Sequence, residues 1–256
     1  MNTNYPPSTI MGAHKRTLAS RFVDQEYELS IWVPFDYEQS DKDYPTLYVL
    51  DAPIYYGGAV YIAMSNNWDG RIPEMIVVGV GAQVKNWEEW DPLRDRDLSS
   101  VEIPGRPWSG HADNFIRFVE QELLPFVDSN YRTQKADRII WGHSSGATFA
   151  LKLMFHKTHL FNRIIATSPS FEHSGKTIYD YHQDLAMGTL PSKVRLFVSV
   201  GSLENTYSAR ARDFMRDLEE RKFRNLQLHT MILDGFDHIA ANFPGFIYGL
   251  RAVYAM

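Results

Sequence analysis

The hydrophobic rhythm of this chain changes once. Glu26 to Val33 alternates polar and apolar residues and Pro34 closes the run, which predicts a half-exposed strand. Thr17 to Val23 supplies a nearby antiparallel partner. The alternation then gives way to short continuous apolar runs. They are Thr46 to Leu50, Met75 to Val80, Ile139 to Trp141, Arg163 to Ala166, Val194 to Val200 and Leu226 to Leu233. Strands that are apolar on both faces belong in a parallel sheet covered by helices. Helical periodicity fills the gaps. Phe115, Phe118, Val119 and Leu123 fall at i, i+3, i+4 and i+8 within a segment that runs to Tyr131. Ala147 to Met154 has helix-like composition, Ala209 to Arg221 places Phe214 and Leu218 four apart, and Phe246 to Tyr254 predicts a C-terminal helix. The pattern predicts an α/β fold: a mostly parallel central sheet, antiparallel in its N-terminal part, with helices on both faces. No repeat or linker interrupts it, so residues 1–256 are expected to form a single domain.

Bulk composition narrows the function. Net charge is −5, and no Lys/Arg cluster offsets it, so nucleic acid is not an expected partner. The absence of cysteine excludes disulfides, thiolate metal sites and a cysteine nucleophile. Met1 to Ser8 is polar, holds Pro6 and Pro7, and lacks a basic segment followed by an apolar one. No apolar run approaches the ~20 residues that span a bilayer. A cytoplasmic location without membrane contact is expected. His156 and His159 stand at metal-ligand spacing, but with no third ligand in view they read as helix-end residues. Neither a metal nor another cofactor is expected.

One segment carries chemistry. Gly142-His143-Ser144-Ser145-Gly146 fits G-x-S-x-G, with an apolar strand-like run before it and a helix-like segment after it. In a chain of this length the bare pattern arises by chance roughly one time in ten, so context decides. Strand, sharp turn and helix is the context that exposes a serine hydroxyl above a sheet. A serine needs a base within hydrogen-bond reach, and the base needs an orienting group. In this architecture the order along the chain is serine, acid, histidine. His238 lies in the loop after the last predicted strand. Glu204 follows Val194 to Val200, where the acid is expected, and Asp234 is its rival at the end of the last strand. The ring of His143, next to the serine, is expected to point away. His111 and His173 are candidate pocket residues. An oxyanion formed on the substrate needs backbone donors: the Ser145 amide for one, and for the second Ala52 or Ile54, with Ile54 favoured, because Pro53 has no N–H.

At this point the chain resembles a family of α/β-hydrolases that includes enterochelin (siderophore) esterases, feruloyl and acetylxylan esterases, S-formylglutathione hydrolase and mycolyltransferases. The likeness extends from about Leu29 to the C-terminus. It rests on Tyr48-Val49-Leu50-Asp51, Arg94-Asp95-Arg96-Asp97-Leu98, Glu122-Leu123-Leu124-Pro125-Phe126-Val127 and Thr167-Ser168-Pro169-Ser170-Phe171, together with the G-x-S-x-G turn. The siderophore-esterase-like branch is the nearest. The resemblance implies an α/β-hydrolase fold and an esterase with Ser144, Glu204 and His238 as its triad. Ala52-Pro53 stands where the family usually has glycine.

Around this set, Tyr55, Tyr56, Tyr61, Trp68, Trp87, Trp90 and Trp108 are expected to be mainly core, with a substrate-lining role as the alternative. Arg94, Arg96 and Arg106 are expected to pair with Asp95, Asp97 and Asp91 rather than with an anionic acyl group. The leading expectation is hydrolysis of a small-molecule carboxylic ester through an acyl-enzyme, with siderophore or aromatic-acid esters as candidate substrates. An acyltransferase or thioesterase on the same machinery is the alternative. A non-catalytic binding module is less favoured, because such modules have usually lost the serine or the histidine, and this chain keeps both. The oligomeric state is open.

Overall fold

A computed structural model describes residues 9–82, 84–171, 188–204 and 206–255. Its centre is one eight-stranded sheet in the order β1-β2-β4-β3-β5-β6-β7-β8. The strands are β1 (Ala13–Ser20), β2 (Gln25–Trp32), β3 (Tyr44–Val49), β4 (Ile76–Ala82), β5 (Thr133–His143), β6 (Arg163–Thr167), β7 (Thr189–Gly201) and β8 (Arg224–Leu233). β2 runs antiparallel to β1 and β4, and every other pairing is parallel. The expected change from alternating to continuous apolar strands marks that boundary. β3 and β6 are buried at every position, whereas edge strand β1 is mostly exposed. β8 departs from the expectation of two apolar faces. It is the other edge, and Leu226 and Leu228 alternate with exposed Asn225, Gln227 and His229 or partly exposed neighbours rather than forming a fully buried strand.

Helices lie on both faces. On one face α1 (Ala52–Trp68) and α7 (Asn242–Ala255) cover a core that includes Trp141, Phe197 and Phe246. On the other, α3 (Ala112–Phe118), α4 (Leu124–Asn130), α5 (Ser145–His156) and α6 (Thr206–Arg221) cover a core built on Phe115, Phe118, Phe149 and Phe214. Phe115 and Phe118 fall where the stripe predicts. α3 and α4 are joined by one wide turn at Val119–Leu123, just before Pro125, whose missing N–H a regular helix interior does not tolerate.

Two helices were not expected. α1 begins one residue after Asp51, and its buried positions include Ala52, Tyr55, Tyr56, Ala59, Val60 and Ala63, a helical spacing. Tyr61 and Trp68 lie on its outer side and are exposed. α2 (Trp87–Leu98) carries the Arg94–Leu98 segment. Asn86 caps it, its side chain accepting the Glu89 N–H at 2.9 Å. Core packing therefore holds for Tyr55 and Tyr56, but Trp87 and Trp108, like Tyr61 and Trp68, are exposed.

The connectivity fixes where chemistry can occur. From β3 the chain moves by way of α1 to β4 on one side. It then crosses back to β5 on β3's other side. Parallel sheets bind ligands outside the carboxyl ends of their strands at such a switch point. Asp51 follows β3 and Ser144 follows β5, so both stand there.

Candidate active site

β5 delivers Ser144 on a turn that only close backbone packing permits. Ser144 has φ 57° and ψ −121°, a left-hand backbone that costs a non-glycine residue on the order of 1–3 kcal/mol. Glycines flank it because β5 and α5 nearly touch. A Cβ on Gly142 would lie 2.2 Å from the Gly146 carbonyl carbon, and one on Gly146 would lie 3.2 Å from Asp51 Oδ2. The turn is pinned on both sides. The Ser144 N–H donates to the Thr167 carbonyl at 3.0 Å, and the Ser144 carbonyl accepts the Ser170 N–H at 3.3 Å. Trp141 anchors β5 just below, stacked on Phe246 of α7 with ring centroids 4.0 Å apart.

The histidine and the acid arrive from neighbouring loops. His238 follows β8, and Glu204 follows β7. The loops cross so closely that a Cβ on Gly201 would lie 2.2 Å from the Phe236 carbonyl oxygen. His238 Nε2 is 3.0 Å from Ser144 Oγ, and His238 Nδ1 is 2.8 Å from Glu204 Oε2. A carboxylate only accepts, so Nδ1 carries the proton and Nε2 offers its lone pair to the serine hydroxyl. The structure brings together the three residues that the sequence nominated. It does not bring in Asp234, whose Oδ1 accepts from Ser202 Oγ at 3.1 Å, nor Asp237, which accepts the Ala240 N–H. His111 lies exposed at the start of α3, and His173 falls outside the described residues.

Glu204 is buried and held on both oxygens. Oε1 accepts from Ser168 Oγ at 2.5 Å and from the Gly201 N–H at 2.6 Å. Burial alone would raise its pKa. The bonds from His238, Ser168 and Gly201 outweigh that and hold it below the usual carboxylate range. Ser168 is itself fully buried at φ 48°. Sequence reasoning placed it in a family-like segment but gave it no role.

His143 does not simply turn away. Its ring lies 4.8 Å from the His238 ring, and its Nδ1 is 3.1 Å from Thr167 Oγ1. Burial, assisted by His238, pushes its pKa down to about 3, so the ring beside His238 is neutral.

The Ile54 amide, expected as the second oxyanion donor, is already engaged. Ile54 donates its N–H to the Asp51 carbonyl at 3.0 Å in the first turn of α1, so that amide is spent. Ala52 is the first residue of α1, as Ser145 is of α5. As the first residues of their helices, Ala52 and Ser145 have amides with no acceptor inside those helices. The arginines are salt-bridge partners, but not all as paired by sequence. Arg96 meets Asp97, and Arg106 meets Asp91 and Asp95. Arg94 instead reaches Asp51 at 2.9 Å, its side chain lying beside Trp90.

Comparison with known proteins places the chain in a family. A family model described as "Putative esterase" matches residues 20–239. The chain belongs to that esterase family. As an esterase it is a carboxylic ester hydrolase with an α/β fold. It is 29% identical over 231 residues to the ferri-bacillibactin esterase BesA of Bacillus subtilis, a match covering 83% of this chain and 78% of BesA. Among solved structures, the BES protein from Bacillus cereus superposes on the esterase with a TM-score of 0.86 at 24% identity, covering 98% of this chain and 99% of that one. The siderophore hydrolase EstA from Aspergillus nidulans gives 0.80 at 20% identity, covering 97% of each chain. Among the described residues no helix of the esterase is long and apolar enough to cross a membrane.

Proposed function

We propose that this esterase is a serine hydrolase that cleaves its ester through an acyl-enzyme, with Ser144 as nucleophile, His238 as general base and Glu204 as orienting acid. The single observation that carries the reading is the unbroken relay of 3.0 Å from Ser144 Oγ to His238 Nε2 and 2.8 Å from His238 Nδ1 to Glu204 Oε2. Ser144 Oγ attacks the ester carbonyl while its proton passes to His238 Nε2. Glu204 keeps the imidazole in its Nδ1–H tautomer and balances the imidazolium without taking its proton. The amides of Ser145 and Ala52 receive the oxyanion. Collapse expels the alcohol, protonated by His238, and water then attacks the acyl-serine by the same route in reverse. The substrate we propose is a siderophore ester, in line with the activities named for BesA and for EstA.

Intact-mass spectrometry after a fluorophosphonate probe tests the chemistry, alongside p-nitrophenyl acetate turnover. One adduct on the wild type and none on Ser144→Ala, with turnover lost in the variant, is expected. A wild type that takes no adduct refutes the serine reading. Hydrolysis of a ferric siderophore lactone, followed by chromatography, tests the substrate. Cleavage of simple aryl esters with the lactone left intact refutes the siderophore assignment alone.

A further inference from the structure

Arg94 makes two contacts that the triad does not require. It sits on α2, 43 residues from Asp51 and 51 from Ser145, yet reaches both. Its Nε donates to Asp51 Oδ1 at 2.9 Å, and its Nη1 donates to Ser145 Oγ at 3.2 Å. The guanidinium is largely buried, with 14% of its side chain exposed against 3% for Asp51. Each partner stands at the start of a helix. Asp51 precedes Ala52, the first residue of α1, and holds a left-handed backbone with φ 54° and ψ 44°. Ser145 is the first residue of α5.

That strained Asp51 conformation sets the direction of the next peptide, which carries the Ala52 N–H. A non-glycine residue holds it only when its surroundings over-determine it. The buried ion pair supplies that constraint. Asp51 Oδ2 has no hydrogen-bond partner, and it lies where a Cβ on Gly146 would be 3.2 Å away. Burial pulls the Asp51 pKa up, Arg94 opposes that pull, and the unpaired oxygen stands beside the first turn of α5. The last glycine of the serine turn leaves the room for this approach.

We propose that Arg94 is a positioning residue that bridges the starts of α1 and α5 and so fixes the separation of the Ala52 and Ser145 amides. The inference rests on the oxyanion role given to those amides above. A rigid fork suits the task, because one planar group meets both partners at once. A lysine ammonium is a compact point charge on a flexible stem and lacks that fixed planar fork.

The test uses p-nitrophenyl acetate, a small neutral ester, and phenylboronic acid, which forms a tetrahedral anion on an active serine. Wild type, Arg94→Lys, Arg94→Met, Ser145→Ala and the Arg94→Met/Ser145→Ala double variant are compared. Losing one oxyanion donor typically lowers kcat by about 100-fold or more. Arg94→Met is expected to lose kcat on the order of that factor, with KM within about threefold and boronate affinity falling in step with kcat. Arg94→Lys is expected to fall between Arg94→Met and wild type. Ser145→Ala keeps the amide and loses only the hydroxyl tie, so a smaller loss, about three- to tenfold, is expected. The double variant is expected to match Arg94→Met within about twofold, since the hydroxyl acts through Arg94.

An unchanged kcat in Arg94→Met, or a rise in KM alone with boronate affinity intact, overturns the proposal. So does a double variant whose losses multiply. If Arg94→Met does not fold, an unchanged kcat in Ser145→Ala overturns it instead. Fluorophosphonate labelling of the wild type separates the two levels. An unlabelled wild type refutes the serine reading, whereas a labelled wild type beside an undisturbed Arg94→Met sinks only the bridge.

Discussion

Replacing His143 with asparagine is expected to make the protein less sensitive to acid. His143 is 1% exposed, and burial holds its pKa at about 3, against about 6.5 in an unfolded chain. Between these values only the unfolded chain takes up the proton. The stability linked to this group is therefore complete above pH 6.5 and is lost as pH falls toward 3. At pH 5 the unfolded chain sits 1.5 pH units below its own pKa, which amounts to about 2 kcal/mol of lost stability relative to pH 7. For a chain of this size that corresponds to roughly 4–8 °C in melting temperature. Asparagine removes the titration and keeps a short amide toward Thr167, His143's hydrogen-bond partner. Urea unfolding of both proteins at pH 7 and pH 5 gives the comparison. Any constant cost of the substitution cancels, because only the change between the two pH values is compared. The drop in stability from pH 7 to pH 5 is expected to be smaller in His143→Asn by about 2 kcal/mol. Equal drops in the two proteins would show that His143 titrates alike in the folded and unfolded chains, and the argument from burial would fail.

Ser168→Ala removes one of the two donors on Glu204 Oε1, a bond to a charged group worth about 1.5–3 kcal/mol. A drop in kcat of about tenfold or more is expected in steady-state assays. Because these bonds depress the Glu204 pKa, the stability linked to it is present above the unfolded value and lost as pH falls through the folded one. In Ser168→Ala the folded-state pKa rises toward the unfolded one, so less stability is present above the unfolded value. The protein starts its acid unfolding with less in reserve, the midpoint moves up, and an unmoved midpoint refutes the assignment. Two glycine substitutions separate crowding from strain. Gly142→Ala meets backbone at 2.2 Å and is expected to yield insoluble protein or a melting point far below wild type. Gly235→Ala has nothing within 4 Å and only its φ of +78° to oppose it, so a loss of about 1–2 kcal/mol is expected in urea unfolding. Comparable losses at the two positions would contradict the close approach of β5 to α5.

Much of the site was legible because its parts are marked locally. Ser144, Glu204 and His238 each follow an apolar strand in the order serine, acid, histidine, and strand ends in such a sheet converge. α1 was harder to read. Its apolar positions follow a helical spacing, but Gly57 and Gly58 interrupt helix propensity. Gly58 is present because the Phe243 ring comes within 2.3 Å of where its Cβ would be. Missing α1 also misdirected the oxyanion assignment, since Ile54 reads as a loop donor only if no helix begins at Ala52. α2 is charged and holds Pro92, so it reads as a loop. Asn86 followed three residues later by Glu89 was the available signal, being the spacing of a capped helix start. The partner of Arg94 was beyond sequence reasoning. Asp91, Asp95 and Asp97 are its neighbours along the chain, and only the fold brings Asp51 to it.

The four residues from Thr167 to Ser170 hold the Ser144 backbone on one side and the Glu204 carboxylate on the other. Thr167 and Ser170 bind the main chain of Ser144, while Ser168 binds Glu204. Two members of the relay are thus fastened to a common bracket at the end of β6. A displacement of that strand along its axis carries serine and carboxylate together, and their mutual distance is conserved. Vibrations that would part them must instead deform the bracket, whose Ser168 amide is tied back to the Ser199 carbonyl of β7 at 2.7 Å. His238 reaches Ser144 and Glu204 from the loop after β8, so its imidazole meets both from outside this bracket.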